Sequence, residues 1–161
     1  MKKKQNSIII FSIMIMLLSA CDDMSGIIID MPPSSSGQLP PFVITKPVFE
    51  IIERPYYFNY AGIVFKFLNQ NQEAVERITV SFMLFDQRTQ GSPFVGNNKF
   101  EIIKWDIVHP DENKEIIISL DGFIHIAPTE PYLIDSFYIS EIHYVNGSVW
   151  QDKYGKYKVR D

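Results

Sequence analysis

The sequence predicts an all-β protein: an antiparallel β-sandwich of about seven short strands, set behind a leader and a spacer. Three observations carry this. From Pro47 onward, apolar residues recur with a period of two rather than 3.6. The runs are short and rich in Ile, Val, Phe and Tyr, which suit pleated, half-buried surfaces. Clusters of turn-forming residues separate them, and no stretch carries a convincing helical period.

Residues 1–20 read as a signal peptide that is removed. Lys2, Lys3 and Lys4 form a positive n-region, and Ile8 to Leu18 form an apolar run interrupted only by Ser12. Such a run falls short of the ~20 residues that span a bilayer and fits the ~7–15-residue h-region of a signal peptide. Leu18-Ser19-Ala20-Cys21 follows. This tetrapeptide resembles the lipobox of bacterial lipoproteins: an aliphatic residue, two small residues, then a cysteine. The resemblance implies cleavage between Ala20 and Cys21, lipidation of the Cys21 thiol, and an extracytoplasmic chain held in the cell envelope by two or three fatty chains. Each buried methylene contributes ~0.8 kcal/mol, so several chains anchor durably where one holds weakly. Asp22 and Asp23 follow the cysteine directly, and both inner and outer membrane stay open as the address.

Cys21 is the only cysteine, so no intramolecular disulfide can form, and acylation gives the lone thiol a use. Cleavage removes three of the 15 basic residues and none of the 19 acidic ones, leaving a net charge of −7. That balance argues against an electrostatic grip on nucleic acid or on anionic lipid headgroups.

Residues 21–46 read as a lipidated, flexible tether. Pro32-Pro33-Ser34-Ser35-Ser36-Gly37 and Pro40-Pro41 oppose regular structure and favour an extended, solvated chain. About 25 such residues have an r.m.s. span of roughly 25–30 Å. Ile27-Ile28-Ile29 is the apolar exception, with the membrane interface and a sheet edge both open to it.

Residues 47–161 form the predicted sandwich. Ile63, Phe65 and Phe67 alternate with Val64, Lys66 and Leu68, and Ile78, Val80, Phe82 and Leu84 with Thr79, Ser81 and Met83. Ile103, Trp105 and Ile107 alternate with Lys104, Asp106 and Val108, and Ile116, Ile118 and Leu120 with Ile117 and Ser119. Later, Phe137 and Ile139 are odd while Ile142 and Tyr144 are even, a phase slip that predicts a β-bulge near Ser140-Glu141. Asn146-Gly147 predicts a type I′ hairpin turn that sets Val145 against Ser148, Tyr144 against Val149 and His143 against Trp150.

Phe82-Met83-Leu84-Phe85-Asp86 resembles the signature of the bacterial FxLYD domains, with Phe85 in the tyrosine place. In that family the signature strand follows one that closes in an asparagine, which Asn69 after Phe65-Lys66-Phe67-Leu68 matches. The resemblance covers roughly residues 47–152 and implies an immunoglobulin-like sandwich with no established general activity.

No catalytic or cofactor motif accompanies this pattern. His109, His125 and His143 lack partners at ligand spacing, so no metal is expected. His125 reads as a solvent-facing strand residue and His143 as packing beside Trp150. Asp106, Asp111 and Glu112 lack a D-x-D-x-D-G pattern and read as a solvated acidic loop. Nucleophile motifs and phosphate-binding loops are absent from the sequence, so no enzyme activity and no cofactor is expected.

Aromatic residues cluster twice, as Tyr56-Tyr57-Phe58 with Tyr60 and as Trp150 with Tyr154 and Tyr157. Core or edge packing accounts for many such clusters, while exposed ones grip glycans or proteins. Tyr56, Tyr57, Trp150 and Tyr154 are therefore the candidate interaction surface. The basic stretch from Lys153 to Lys158 reads as a last strand, with an anionic-partner patch as its alternative. The expected function is that of an anchored, non-enzymatic binding module. Its partners would be the membrane through the lipid anchor and another envelope protein or an extracellular ligand, with no nucleic acid. A structural or assembly subunit of an envelope complex is the alternative, and a small hydrolase or metal-dependent enzyme comes behind both.

Overall fold

A computed structural model describes residues 39–94 and 96–159. Eight strands occur among them: β1 (Phe42–Ile44), β2 (Val48–Glu50), β3 (Gly62–Asn69), β4 (Val75–Phe85), β5 (Lys99–Val108), β6 (Asn113–Ser119), β7 (Leu133–Tyr144) and β8 (Val149–Gln151). All pairings are antiparallel. In the first sheet β3 is central, with β6 on one side and β1 and β2 end to end on the other; the second sheet runs β5-β4-β7-β8. Counting β1 and β2 as one interrupted edge, strands one, two and five face strands three, four, six and seven. This is an immunoglobulin-like β-sandwich.

Alternation explains the core. Ile63, Phe65 and Phe67 of β3 and Ile116 and Ile118 of β6 are buried against Ile78, Val80, Phe82 and Leu84 of β4 and Phe137, Ile139 and Ile142 of β7. Each such side chain contributes roughly 1.5–3 kcal/mol on burial. The phase slip in β7 is a bulge: Thr79 pairs with Glu141 but Val80 with Ile139, so Ser140 is the extra residue. It keeps both halves of β7 apolar toward the core.

Asn69 is fully buried and fastens the sheets at one end. Its Nδ2 donates to Glu73 O at 2.9 Å and to Val108 O at 3.1 Å, while its Oδ1 accepts from Asn71 N at 3.0 Å. One amide thereby joins the end of β3, the loop into β4 and the end of β5.

Several expectations are corrected. The sandwich begins before residue 47: β1 lies within the predicted tether, with Phe42 and Ile44 buried. The late hairpin has a three-residue loop. Ile142 faces Trp150 and His143 faces Val149, one step from the expected register. Tyr144 N donates to Ser148 O at 3.0 Å and Gly147 N to Tyr144 O at 2.9 Å. Gly147 has φ 84° and Asn146 is not among the residues of positive φ, as in a type I turn closed by a glycine bulge. The Lys153–Lys158 stretch is not a strand: β8 ends at Gln151, and Asp152 folds the chain back by accepting from the amides of Lys156 (3.0 Å) and Tyr157 (2.9 Å). His125 lies in an irregular exposed segment rather than a strand.

Asn69→Ala removes two donors and one acceptor from a buried position, and thermal or urea unfolding should register a loss of about 1–3 kcal/mol. Gly147→Val should cost about 1–2 kcal/mol in the same assay, because no atom crowds the position but the left-handed backbone resists a β-branched residue. Stabilities equal to the parent protein would contradict the clasp and the turn respectively.

Candidate interaction surface

β5 is an edge strand whose two phases are both partly apolar. Phe100, Ile102 and Lys104 pair with the inward residues Phe82, Val80 and Ile78. Ile103, Trp105 and Ile107 therefore face outward, with 51%, 63% and 45% of their surface exposed. Among the inward residues, Lys104 and Asp106 reach the rim of the sandwich. Asp106 accepts from Lys114 Nζ of β6 at 2.6 Å, and that ammonium also donates to Ile107 O at 2.9 Å. Inward charges on an edge strand oppose edge-to-edge pairing. The outer face of β5, rather than its backbone edge, is thus the surface available to a partner.

A polar row continues from this strip across the sheet. The Arg77 guanidinium lies 5.2 Å from the centre of the Trp105 ring. Arg77 Nη2 is 2.7 Å from His143 Nε2 and 3.5 Å from Glu141 Oε1. His143 Nε2 also contacts Glu141. Hydrogen bonds from Gln151 and then His143, with the charge of Arg77, outweigh burial and hold the Glu141 carboxyl below its ordinary range. The arrangement stiffens Arg77 under the Trp105 ring, and a held indole beside a guanidinium is the kind of pairing enriched in protein interfaces.

The loop between β2 and β3 brings the first aromatic cluster to the same edge. Arg54 bonds both carboxylate oxygens of Glu50 (2.7 and 2.9 Å) and reaches Glu115 of β6 at 2.8 Å. Phe58 is buried against Val64 and Ile117 on the outer side of the first sheet. Asp121 accepts from Asn59 N (3.1 and 3.0 Å) and Tyr60 N (3.0 Å). Burial alone would raise the Asp121 carboxyl, but the Tyr60 and Asn59 amides outweigh it and the group lies below its ordinary value. Tyr57, so held, lines a shallow groove of about 270 Å³ with Ile103, Lys104 and Ile117. Tyr56 stands fully exposed at the tip with φ 71°.

The predicted surface residues divide into two groups at opposite edges of the β5-β4-β7-β8 sheet. Tyr56 and Tyr57 join Ile103 at the β5 edge. Trp150 belongs to the β8 edge and is partly buried: its ring meets Phe42 edge-on at 5.1 Å and Tyr157 at 6.1 Å. Tyr154 is 94% exposed beside it. His143 packs with Arg77 and Glu141 instead of Trp150. Asp106, Asp111 and Glu112 do not converge: Asp106 holds Lys114, Glu112 accepts from His109 N, and the Asp111 amide donates to Asn69 O. Among the described residues no group of three His, Cys, Asp or Glu side chains is placed to hold a metal. Ala20, Cys21 and Ile27-Ile28-Ile29 lie outside the described residues. The outward strip of β5 had been legible only as an apolar phase; what assigns its face is the pairing of Phe100 and Ile102 with Phe82 and Val80.

The fold and this strip define the class as an immunoglobulin-like sandwich with an aromatic edge. No protein-family model and no curated protein matches the chain. Among solved structures, a hypothetical protein from Peptoclostridium difficile 630 is similar, with a TM-score of 0.52 and 10% identity over 77% of this chain and 94% of that one. At that identity the likeness is one of fold.

The Asp121 carboxylate contributes stability that is complete above the ordinary value of 3.8 and is lost as pH falls through its lowered folded value. Asp121→Asn should therefore melt below the parent protein at neutral pH. The gap should close as the pH drops under 3.8. Calorimetric melting curves across that range check it, and a gap independent of pH would contradict the role.

Proposed function

We propose that the protein is a bacterial envelope lipoprotein, lipidated at Cys21 and extracytoplasmic, whose β-sandwich is a non-enzymatic module that binds a partner protein through the outer face of β5. The observation that carries the binding reading is Trp105, 63% exposed between Ile103 and Ile107 and stacked on a guanidinium held by Glu141. Buried aromatic and arginine anchors dominate the energetics of protein interfaces. Contiguous exposed apolar strips on a small domain serve contacts more often than they serve solubility. The β2–β3 loop supports the same reading, since its bonds to Glu50, Glu115 and Asp121 hold Tyr57 at the margin of the strip.

Family membership in the FxLYD domains belongs to the same proposal. Phe82 and Leu84 fill the core, and Asp86 accepts from the amides of Arg88 and Thr89 at 2.9 Å each, capping the turn that follows the strand. Asn69 is the clasp already described. These roles give Phe82, Leu84, Asp86 and Asn69 a physical reason to occupy the matched positions. The lipoprotein reading rests on the leader and on Leu18-Ser19-Ala20-Cys21.

Cys21→Ser should abolish palmitate incorporation in growing cells and leave the leader attached; equal labelling of both forms would end the lipoprotein reading. A photo-crosslinking residue at Ile107 should capture one protein in intact cells. Trp105→Ala should abolish that adduct while changing stability by only about 0.5 kcal/mol, the usual range for an exposed site. An adduct that survives Trp105→Ala would move the contact away from β5. Capture in a fixed one-to-one ratio would favour an obligate subunit of an envelope complex.

A further inference from the structure

The net charge of the chain conceals an uneven distribution. Lys46 and Lys158 line one recess, with Asp135 and Phe137 of β7, and Lys153 and Lys156 line another, with Trp150 and Gln151 of β8; together they form a seam along the C-terminal loop. They are four of the eleven lysines and arginines among the described residues. Among the described residues, the carboxylates of Asp152 and Asp135 line that seam. Asp152 is buried and its oxygens accept from the amides of Lys156 and Tyr157. Asp135 lines the recess that also holds Lys46 and Lys158, and its Oδ1 accepts from Ser136 N at 2.6 Å. Lys153 and Lys158 are exposed, and between them Tyr154 projects with 94% of its surface in solvent.

The seam is also where the N-terminal segment joins the domain. Phe42, three residues after the first described residue, packs on Trp150, and Trp150 packs on Tyr157. A lipid on Cys21 would thus connect, through the 17 residues 22–38, to the edge that carries the lysines and Tyr154. A random-coil chain of 17 residues would have an r.m.s. span of roughly 20–25 Å, a distance that would keep this edge within reach of the surface holding the anchor.

We propose that the β1–β8 edge docks on the anionic lipid headgroups of the membrane that holds the lipid anchor. The proposal rests on the lipoprotein reading above. Lysines near an anionic surface are attracted over about a Debye length, and a tyrosine suits the interface between headgroups and acyl chains. The contact would be too weak to recruit a free domain carrying this net charge. A tether changes the problem, because a short linker presents the edge to the surface at an effective concentration on the order of millimolar.

The test uses the full acylated chain reconstituted into vesicles of phosphatidylcholine alone or of phosphatidylcholine with phosphatidylglycerol. Amine-reactive labelling at each lysine is read by mass spectrometry. Labelling of Lys153 and Lys158 should fall several-fold in the phosphatidylglycerol vesicles and recover at high salt, while Lys66 and Lys99, exposed elsewhere, stay unchanged. The double variant Lys153→Glu with Lys158→Glu should lose the protection of Lys46. Protein that floats with both vesicles but labels equally in them overturns the docking and leaves the anchor intact. Protein that floats with neither removes the anchor and the docking together. Protection produced by soluble heparin in phosphatidylcholine vesicles, with none from phosphatidylglycerol, would assign the edge to a polyanion and also overturn the proposal.

Discussion

A row of four phenylalanines fixes the rest of the structure. Phe100, Phe82 and Phe137 lie side by side on β5, β4 and β7, with ring centres 5.4 and 6.2 Å apart, and Phe137 then meets Phe65 of the opposing sheet at 5.0 Å. These rings set the phase of four strands at once. A one-residue slip in any of them would turn its whole apolar set to the other side. With Phe100 inward, Ile103, Trp105 and Ile107 have no choice but to face out. The exposed strip on β5 is therefore a consequence of core packing, and its apolar character is a property of the sequence that the core does not require.

Polar residues in the molecule are used mainly to hold turns. Asn69, Asp86, Asp121 and Asp152 each satisfy backbone amides at the point where a strand gives way to a loop. Side chains engaged in this way bond the amides that would otherwise be orphaned. Arg54 and Lys114 do the complementary work, one pinning the β2–β3 loop to β6 and the other bridging β6 to β5. The side chains most open to solvent are the apolar and aromatic ones at the β5 edge and Tyr154, Lys153 and Lys158 at the β8 edge.

Strands β3, β4, β6 and β7 were legible because in each of them one phase is decidedly more apolar than the other. The bulge at Ser140 was legible for the same reason, since the apolar residues change parity there. β1 and β2 escaped notice because three residues flanked by prolines cannot display a period. β5 was legible as a strand, but its faces needed the partner: Phe100, Ile102 and Val108 compete with Ile103, Trp105 and Ile107. The Asn146-Gly147 pair suits both a two-residue turn and a three-residue loop with a glycine bulge, and the backbone at Asn146 decides between them. The candidate surface was half visible: Tyr56 and Tyr57 could be named from the sequence, but Trp105 and Arg77 become neighbours only through the β4–β5 register.

The two edges gain meaning from their opposition. The chain joins the domain at β1, beside Trp150 and the lysine-bearing loop, and the apolar strip lies on β5, at the far side of the β5-β4-β7-β8 sheet. On the proposed anchoring, the lysine edge faces the lipid and the β5 strip faces away from it. A lipid anchor alone would leave the domain free to turn, and the strip would spend much of its time facing the bilayer. A weak second contact beside the point of attachment restricts that rotation, because lipid and lysines then fix two points of one edge. The affinity of the β5 strip for its partner would rise through reduced orientational loss, with no new contact at the strip itself.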